Sequence, residues 1–229
     1  MTPKGIYVII PAFNEALSID KVIAEIPDFV EEVVVVNNNS SDHTAQAARD
    51  AGATVLDEPR QGYGYACLKG IEYLKTKSPE IVVFLDADYS DYPEELTQII
   101  APILEKDMDM VIGSRNLGKK EPGSMTPQQI FGNWLATTLI KLFFKVSYSD
   151  LGPFRAIKYK SLVGLAMVDQ TYGWTVEMQL KAAKKGLKTT EVPVKYRKRI
   201  GKSKVSGTVK GTILAGYKIL SWIFKYALK

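Results

Sequence analysis

In the first half of the chain, short runs of consecutive apolar residues alternate with stretches in which apolar residues recur every three or four positions. The runs predict buried β-strands, because a strand covered on both faces has no polar side. They cover residues 6–10, 33–36, 54–56, 81–85 and 110–113. The stretches between them predict helices. This alternation is typical of the α/β class, with a mostly parallel sheet and helices on both faces.

Helix boundaries are marked by residues with known terminal preferences. A helix that starts near residue 44 is expected to end at Gly52. Asp91 and Glu94 have the spacing of a capping box, which predicts a helix through Ile100. After residue 115 the pattern changes to a polar loop, a long apolar helix, a strand-like segment, a helix, an edge strand, a basic loop and a final helix. These segments cover 118–127, 127–145, 150–157, 176–185, 189–196, 197–206 and 208–229.

Two aspartates follow the strand predicted over 81–85. Alternate side chains of a strand point the same way, so the carboxylates of Asp86 and Asp88 can converge at its carboxyl end. Ligands of an open α/β sheet bind at that end. Because two close carboxylates repel unless a positive charge lies between them, a divalent cation carrying a nucleotide diphosphate would fit. The alternative is that both residues only open a loop.

Polar residues also follow the first two predicted strands. These motifs are Pro11-Ala12-Phe13-Asn14-Glu15 and Asn37-Asn38-Asn39-Ser40-Ser41-Asp42. Asparagine both donates and accepts hydrogen bonds, so Asn37 and Asn38 could bind the edge of a nucleobase. Asn14 and Asp42 are also suited to cap the helices that follow. Both roles stay open, at the sheet edge where Asp86 is expected.

Glycines and cations add candidates for phosphate binding. Gly62 and Gly64 precede a predicted helix, where backbone can approach an anion closely, although a dinucleotide fingerprint would need a third glycine. Arg115, at the end of the fifth strand, could hold a phosphate or pair with an aspartate. Further cations are Arg155, Arg197, Arg199, Lys202 and Lys204. Glycine and serine interleave the last of these, so a phosphate-binding loop and a solvated surface both stay open.

The composition is that of an ordinary globular protein. Of 229 residues, 46% are hydrophobic and 24% are charged, which allows a full core in one domain, or in one domain with a large extension. The net charge of +5 suits anionic partners. A single cysteine, Cys67, excludes an internal disulfide and fits the cytoplasm, and a single histidine, His43, argues against a histidine-rich metal site. No signal peptide is recognisable, and no run reaches the roughly 20 apolar residues of a membrane-spanning helix.

Together these motifs resemble the inverting family 2 glycosyltransferases, which have the GT-A fold. The matching segments are 11–15, 37–42, 86–88, 113–115, 150–155, 191–193 and 199–204. The last two are most similar to polyprenyl-phosphate sugar transferases of the dolichol-phosphate mannose synthase type. The chain departs from the family pattern at Asn37 and Asn38, where aspartates are usual, at Ser90, and at Gly152-Pro153.

The resemblance implies that a sugar moves from a UDP- or GDP-sugar, with Mg²⁺ or Mn²⁺, to a lipid phosphate at a membrane surface. Residues 1–229 would form one domain, with a nucleotide-sugar-binding half at 1–117 and an acceptor half at 118–229. Asp86 and Asp88 would bind the metal, which offsets charge on the departing diphosphate. The expected substrate-binding residues are Pro11, Asn14, Glu15, Asn37, Asn38, Asp42, Gly64, Asp86, Arg115, Arg199 and Lys202.

The kind of acceptor decides which residues would act in the reaction. A phosphate acceptor is anionic near neutral pH and needs no general base, whereas a hydroxyl acceptor would need Asp150 or Glu177. For Glu177 the alternative is a favourable interaction with the start of its own helix. Arg155 is a further candidate to hold a phosphate of the donor or the acceptor. The catalytic candidates are therefore Asp88, Asp150, Glu177 and Arg155.

Three other functions stay as alternatives. The first is a glycosyltransferase with a hydroxyl acceptor. The second is a sugar-1-phosphate nucleotidyltransferase, a class that carries Gly-Gly-x-Gly-x-Arg near the first strand, where this chain has Pro-Ala-Phe-Asn-Glu. The third is a nucleic-acid-binding module. Because the cations lack an interleaved stacking platform, we expect no nucleic-acid partner.

The final helix carries a broad apolar face. Residues at helical spacing form a stripe: Val209, Ile213, Tyr217, Leu220 and Phe224. Ile219, Trp222, Ile223 and Tyr226 widen it, and Lys210, Lys218, Lys225 and Lys229 lie on one side. The helix either packs on the core with a lysine edge or lies in a bilayer interface near anionic headgroups. The second interpretation predicts a peripheral protein on the cytoplasmic face of a membrane.

Overall fold

The structure is a computed structural model that describes residues 4–201, 203 and 207–228. These residues form one seven-stranded sheet in the order β3-β2-β1-β4-β6-β5-β7. The strands are β1 Ile6–Ala12, β2 Glu32–Asn37, β3 Thr54–Asp57, β4 Ile81–Phe84, β5 Met110–Ser114, β6 Arg155–Lys158 and β7 Thr189–Pro193. All neighbours are parallel except at β6, which runs antiparallel to both β4 and β5. The predicted α/β class with a mostly parallel sheet is confirmed.

Eight α-helices flank the sheet in the described part of the chain. They are α1 Ile19–Ala24, α2 Thr44–Asp50, α3 Tyr63–Leu74, α4 Leu96–Lys106, α5 Pro127–Phe144, α6 Tyr159–Leu165, α7 Trp174–Lys184 and α8 Val209–Ala227. Side chains of β1 alternate between two buried clusters: Tyr7 and Ile9 face one, and Ile6, Val8 and Ile10 face the other. Helices α3, α5, α6, α7 and α8 cover the first cluster, and α1, α2 and α4 the second. The expected cover on both faces is therefore present.

The strands predicted from apolar runs are present, with changes at their ends. β1 continues through Pro11 to Ala12, beside β2. The edge position indicated by Pro193 is also correct, since β7 is the last strand of the sheet. Helix α6 was not predicted, because its few apolar residues follow β6 without a clear boundary signal. β6 and β7 complete a sheet that the first half begins, so the segments on either side of residue 117 share one core.

The predicted capping box at Asp91 and Glu94 is wrong. The chain enters a short 3₁₀ turn at Pro93–Glu95, and Tyr92 precedes it with no side-chain cap. Proline is favoured in a first turn because its missing N–H would have no partner there. Asp91 is buried instead, and neither of its carboxylate oxygens has a hydrogen-bond partner among the described residues. Burial, together with the nearby aspartates, raises the pKa of Asp91 well above its usual range.

The predicted apolar stripe of the final helix does not pack on the core. Trp222 and Ile223 make the core contact of α8, whereas Ile213 and Tyr217 are 64% and 72% exposed. In the described part of the chain Ile213 and Tyr217 are therefore largely exposed, whereas Phe224 of the same stripe packs against Phe143 of α5. Within the described residues, no helix has both the length and the hydropathy that crossing a membrane requires. Lys229 lies outside the described residues.

Candidate active site

A pocket opens at the sheet edge where β1, β2 and β4 end. Its volume is about 470 Å³, within the range of pockets that hold small ligands. Six of the predicted site residues line it: Pro11, Glu15, Asn38, Asp86, Asp88 and Arg199. The parallel strands β1, β2 and β4 carry these residues to a common edge, and the loop after β7 adds the arginine.

Asp86 and Asp88 follow β4 directly and provide the negative charge of the pocket. Asp86 accepts a hydrogen bond of 3.0 Å from the Tyr63 hydroxyl. Asp88 Oδ1 accepts bonds from the Ser90 backbone N–H at 2.9 Å and from Ser90 Oγ at 2.5 Å. Burial, and next the Asp88 carboxylate, raise the pKa of Asp86 to about 7. A bound cation would favour the ionised form of Asp86.

Arg199 supplies a counter-charge on one side of the pocket. Its guanidinium lies 2.6 Å from Glu15 Oε1 and 2.9 Å from Asp88 Oδ2. The segment that carries it is fixed by a bond of 2.9 Å from the Ile200 backbone N–H to the Asp88 backbone oxygen. Arg199 thus neutralises part of the charge at Asp88. A phosphate oxygen beside it would be an alternative partner for the guanidinium.

Several residues that the sequence analysis did not select also line the pocket. They are Phe13, Gln61, Tyr63, Thr171, Tyr172 and Ser203. Tyr63 stands between the two glycines already singled out, and its hydroxyl reaches Asp86, so its place in that motif was a usable signal. Thr171 and Tyr172 come from the loop before α7, where no pattern in the sequence indicates a site.

The turn that begins α3 packs against that loop. A Cβ on Gly64 would lie 2.1 Å from the backbone oxygen of Asp169, far inside van der Waals contact. The Gly64 N–H donates to Thr171 O at 3.3 Å, and the Tyr65 N–H donates to Gln170 O at 3.1 Å. Gly64 is therefore required for close packing of two pocket walls. The predicted phosphate contact is corrected here, because its N–H is already bonded within the protein.

The two asparagines at the end of β2 are engaged in structural hydrogen bonds. The Asn38 amide donates to two backbone oxygens of the β3–α3 loop, at 3.2 and 2.7 Å, and accepts from the Gly62 N–H at 2.7 Å. Asn37 donates to Asp57 Oδ1 at 2.8 Å, at the end of β3. Asn38 lines the pocket while holding one of its loops, and Asn37 lies outside the lining.

Asn14 and Asp42 join the loops that follow β1 and β2. The Ser41 N–H donates to Asn14 Oδ1 at 2.8 Å, and the Ala16 N–H donates to Asp42 Oδ2 at 3.2 Å. The Thr44 N–H also donates to Asp42 Oδ1, at 3.0 Å. Asn14 does not cap α1, whose N-cap is Ser18. Although His43 is the residue immediately before α2, Asp42 accepts from the N–H of Thr44, the first residue of that helix, so it supplies the predicted cap bond. Neither Asn14 nor Asp42 is in the pocket lining.

Arg115 and Asp150 form a buried ion pair instead of facing the pocket. Arg115 Nε and Nη2 donate to the two oxygens of Asp150 at 2.8 and 2.7 Å. Burial disfavours the guanidinium charge, but the Asp150 carboxylate outweighs it, so the pKa of Arg115 is raised. One of the two predicted roles of Arg115, a pairing with an aspartate, is therefore present. It leaves Asp150 fully buried and engaged, which does not suit a general base.

Arg155 and Glu177 are also buried away from the pocket. Arg155 donates to the backbone oxygens of Leu151, Gly152 and Thr175, and burial lowers its pKa to about 10. Glu177 accepts from the backbone N–H groups of Val168 and Asp169 and pairs with Lys181 at 2.7 Å. The structure does not bring either residue to the pocket, and their contacts are structural. Lys202 and Lys204 lie outside the described residues.

The model of the family described as "Glycosyl transferase family 2" matches residues 7–163, more than half of the chain. The chain belongs to glycosyl transferase family 2. It is therefore a glycosyltransferase, and the pocket at the ends of β1, β2 and β4 is its candidate active site.

Two relatives and one solved structure illustrate the similarity of this glycosyltransferase to known proteins. An uncharacterized glycosyltransferase of Mycobacterium tuberculosis is 35% identical over 94% of this chain and 96% of its own. The undecaprenyl-phosphate mannosyltransferase of Micrococcus luteus is 29% identical over 89% of this chain and 88% of its own. The glucosyl-3-phosphoglycerate synthase of Mycobacterium tuberculosis, solved with Mn²⁺ and UDP, superposes with a TM-score of 0.77 at 21% identity, covering 98% and 80% of the two chains. At that identity the likeness establishes the GT-A fold alone.

The donor atoms of the glycosyltransferase suit a cation that is shared with a substrate. Among the described residues, no group of three or more His, Cys, Asp or Glu side chains could hold a metal alone. The pocket offers the carboxylates of Asp86 and Asp88, together with that of Glu15, which pairs with Arg199. Mg²⁺ is usually bound by one or two carboxylates together with substrate phosphates and water. The residues present thus fit a divalent cation that binds together with a nucleoside diphosphate.

Proposed function

We propose that this glycosyltransferase transfers a sugar, with inversion, from a UDP- or GDP-sugar to a polyprenyl phosphate. The observation that carries the proposal is the charge arrangement of the pocket. Three carboxylates, Asp86, Asp88 and Glu15, converge there with Arg199, while the two carboxylates predicted as general bases, Asp150 and Glu177, are buried in other contacts. Such a pocket suits phosphate groups on both substrates.

On the donor side, Asp88 and Asp86 would hold Mg²⁺ or Mn²⁺ against the diphosphate. When bound, the cation supplies Lewis-acid stabilisation of the departing nucleoside diphosphate. Arg199 would exchange its contact with Asp88 for a phosphate oxygen, and Tyr63 would keep the Asp86 carboxylate oriented through the bond of 3.0 Å. The similar synthase was solved with Mn²⁺ or Mg²⁺ and UDP, which supports a donor of this class.

On the acceptor side, a phosphate needs no base to remove a proton, because it is ionised near neutral pH. Asp150 is fully buried against Arg115, and Glu177 is fully buried against Lys181, so neither offers a free oxygen to a hydroxyl acceptor. The undecaprenyl-phosphate mannosyltransferase and a dolichyl-phosphate hexose transferase of Haloferax volcanii are among the relatives. Both names support an acceptor of the lipid-phosphate type.

A lipid acceptor requires access to a membrane, and two neighbouring helices suit that contact. On the outer face of α5, Phe131 and Trp134 are 61% and 58% exposed, and on α8 Val209, Ile213 and Tyr217 of the predicted stripe are exposed as well. The exposed faces adjoin where the rings of Phe143 and Phe224 pack edge to face, 5.8 Å apart. Exposed apolar surface of this extent on two packed helices is typical of an interaction site.

The charge around this surface supports a proposed contact with an anionic bilayer. Exposed lysines flank the apolar residues on both helices: Lys141 and Lys145 on or just after α5, and Lys210 and Lys225 on α8. Aromatic and aliphatic side chains bordered by lysines suit the interface between acyl chains and anionic headgroups. We therefore propose peripheral binding through the surface formed by the outer faces of α5 and α8.

The transfer reaction tests the proposed function directly. Purified protein with Mn²⁺ and radiolabelled UDP- or GDP-hexoses should transfer label to the organic phase when a polyprenyl phosphate is present in detergent. The matched control is the corresponding polyprenol, which offers a hydroxyl on the same hydrocarbon chain and should receive no label. Label on the polyprenol but not on its phosphate would contradict the proposed acceptor. No transfer with any of these donors would contradict the proposed function.

A further inference from the structure

The buried carboxylate of Asp169 connects α8 to a wall of the pocket. Its Oδ2 atom accepts a hydrogen bond of 2.6 Å from Trp222 Nε1 and lies 3.3 Å from Lys218 Nζ, both on α8. Its Oδ1 atom accepts from the backbone N–H groups of Thr171 and Gly173 at 2.8 and 2.9 Å. Four donors therefore meet at one buried carboxylate, two from α8 and two from the loop before α7.

This loop, residues 169–173, reaches the pocket on its other side. Thr171 and Tyr172 line the pocket directly. The loop also packs on the turn of Gly62 and Gly64, where added Cβ atoms would lie 2.2 and 2.1 Å from loop oxygens. Between those glycines, Tyr63 donates to Asp86. A continuous set of contacts thus runs from α8 through the loop to the proposed metal ligand.

Gly173 shows how closely α8 is fitted to the loop. A Cβ at this position would lie 2.4 Å from Nε1 and Cδ1 of Trp222 and 2.6 Å from Asp169 Oδ2. Only the absence of a side chain lets the indole approach the carboxylate. Since interiors are close-packed, a displacement of α8 at Trp222 must move Asp169 or break its hydrogen bond.

We propose that Asp169 is a positioning residue that fixes the Thr171–Tyr172 wall of the donor pocket according to the position of α8. The inference rests on the proposed function, in which the pocket binds the donor and the outer face of α8 contacts the bilayer. Such coupling is a free energy shared by the two sites, so binding at either site changes the binding affinity of the other by the same factor. A membrane-bound α8 would hold the wall in place, and a bound donor would hold α8.

The first test needs no nucleotide. Trp222→Phe keeps an aromatic ring on α8 and removes the N–H donor to Asp169. Backbone amide exchange over residues 168–174, measured by hydrogen–deuterium exchange, should become about three- to ten-fold faster, because the anchor of the loop is weakened. The matched control is Ile223→Val, which loosens the core contact of α8 without removing a donor. Equal rates in the wild type and Trp222→Phe would overturn the proposal.

The second test measures nucleotide affinity by calorimetry, with Mn²⁺ and whichever of UDP and GDP binds the wild type. Trp222→Phe should weaken binding about three-fold or more, although Trp222 does not line the pocket. Asp169→Asn should weaken binding at least as much. The double variant should bind no more weakly than Asp169→Asn, because both substitutions remove the same contact between Trp222 and Asp169. Additive losses, or an affinity unchanged from wild type, would refute the coupling.

A reciprocal readout separates positioning from a merely structural role. The same nucleotide should slow amide exchange around Trp222 in the wild type and in Ile223→Val, and should not do so in Trp222→Phe. Protection that persists in Trp222→Phe would show that another route carries the effect. If neither UDP nor GDP binds the wild type, the proposed function fails, while the exchange of residues 168–174 still decides whether Asp169 anchors the loop.

Discussion

At the residue scale, the pocket is a balance of a few charges. Asp88 shares Arg199 with Glu15, and Asp86 is bonded to a neutral tyrosine hydroxyl. The arginine partly compensates the carboxylates before any substrate is present. A metal and a diphosphate would enter together, because each compensates the charge of the other and of the side chains that it meets.

Asp88→Asn should abolish transfer and leave the fold intact. The change removes the charge that would hold the cation, while an amide of the same size can still accept the bonds from Ser90. We expect at least about a hundred-fold loss in kcat, comparable with the loss of one strong electrostatic contact in a transition state. Transfer assays and circular dichroism check both parts. Asp28→Asn, at an exposed carboxylate, is the control, and wild-type activity in Asp88→Asn would contradict the metal assignment.

Arg155→Ala should destabilise the fold without changing the pocket chemistry. The guanidinium serves three backbone oxygens in the interior, so its removal leaves buried acceptors without donors. We expect the free energy of unfolding to fall by roughly 2–5 kcal/mol. Urea denaturation measures it, with Arg49→Ala, at an exposed arginine, as the control that should leave stability unchanged. An unchanged midpoint together with lost phosphate binding would restore the role first predicted for Arg155.

At the element scale, α5 and α8 are unusual because each is apolar on two sides. The inner sides contribute residues such as Ile140 and Ile223 to the core, while the outer sides stay open. A helix that is hydrophobic all round is normally buried, so a second surface is expected to cover the outer side. Lysines around that side favour an anionic bilayer as the cover.

Substitutions on the outer faces should therefore reduce membrane binding. The double variants Phe131→Ser/Trp134→Ser and Ile213→Ser/Tyr217→Ser remove exposed apolar area and leave the core intact. Each should lower co-sedimentation with phosphatidylserine-containing vesicles by about ten-fold or more, since each side chain would contribute 1–2 kcal/mol of burial. The matched control is Leu17→Ser/Leu104→Ser, at an exposed leucine just before α1 and an exposed leucine on α4, which should leave vesicle binding unchanged.

Salt and concentration identify the partner of this surface. Binding to anionic vesicles should weaken at high salt, because the lysine contribution is screened. If the wild type does not bind vesicles and instead forms dimers that the same substitutions dissociate, a second copy of the chain covers the surface. These substitutions test the outer faces alone, whereas truncation before Thr208 would also remove Trp222 and Ile223 from the core.

At the scale of the whole molecule, the pocket is built from both halves of the chain, which share one sheet. β6 enters between β4 and β5 from the second half of the chain, and the segment after β7 brings Arg199 to Asp88. A ligand in this pocket therefore contacts elements that are far apart in sequence. Ligand binding should stabilise the fold as a unit, because a ligand that binds only the native state shifts the unfolding equilibrium.

UDP or GDP with Mn²⁺ should raise the melting temperature. At a hundred times the dissociation constant, the gain is about 2.7 kcal/mol, or roughly 5–10 °C for a domain of this size. Differential scanning fluorimetry measures the shift. NAD with Mn²⁺ is the control and should have no effect, since the chain lacks the dinucleotide fingerprint. A rise in melting temperature with NAD, but not with UDP or GDP, would mean that the pocket binds a different class of ligand.

The sequence by itself determined the α/β class, the strands of the first half and the presence of Asp86 and Asp88 at a strand end. These features depend on local periodicity and on the common direction of parallel strands, which short segments carry in full. It also identified the stripe on α8, because helical spacing depends only on neighbouring residues. The motif resemblance led to glycosyl transferase family 2, to which the chain belongs.

Only the tertiary structure decided which polar residues are free to act. The sequence alone marks four other charged residues as functional candidates equally with Asp88: Arg115, Asp150, Arg155 and Glu177. In the structure all four are buried and bonded to distant parts of the chain. Thr171 and Tyr172 entered the pocket through the packing of their loop against α3 and α8. Contacts between residues distant in the chain have no local pattern, and whether a carboxylate binds a ligand or holds a helix depends on those contacts.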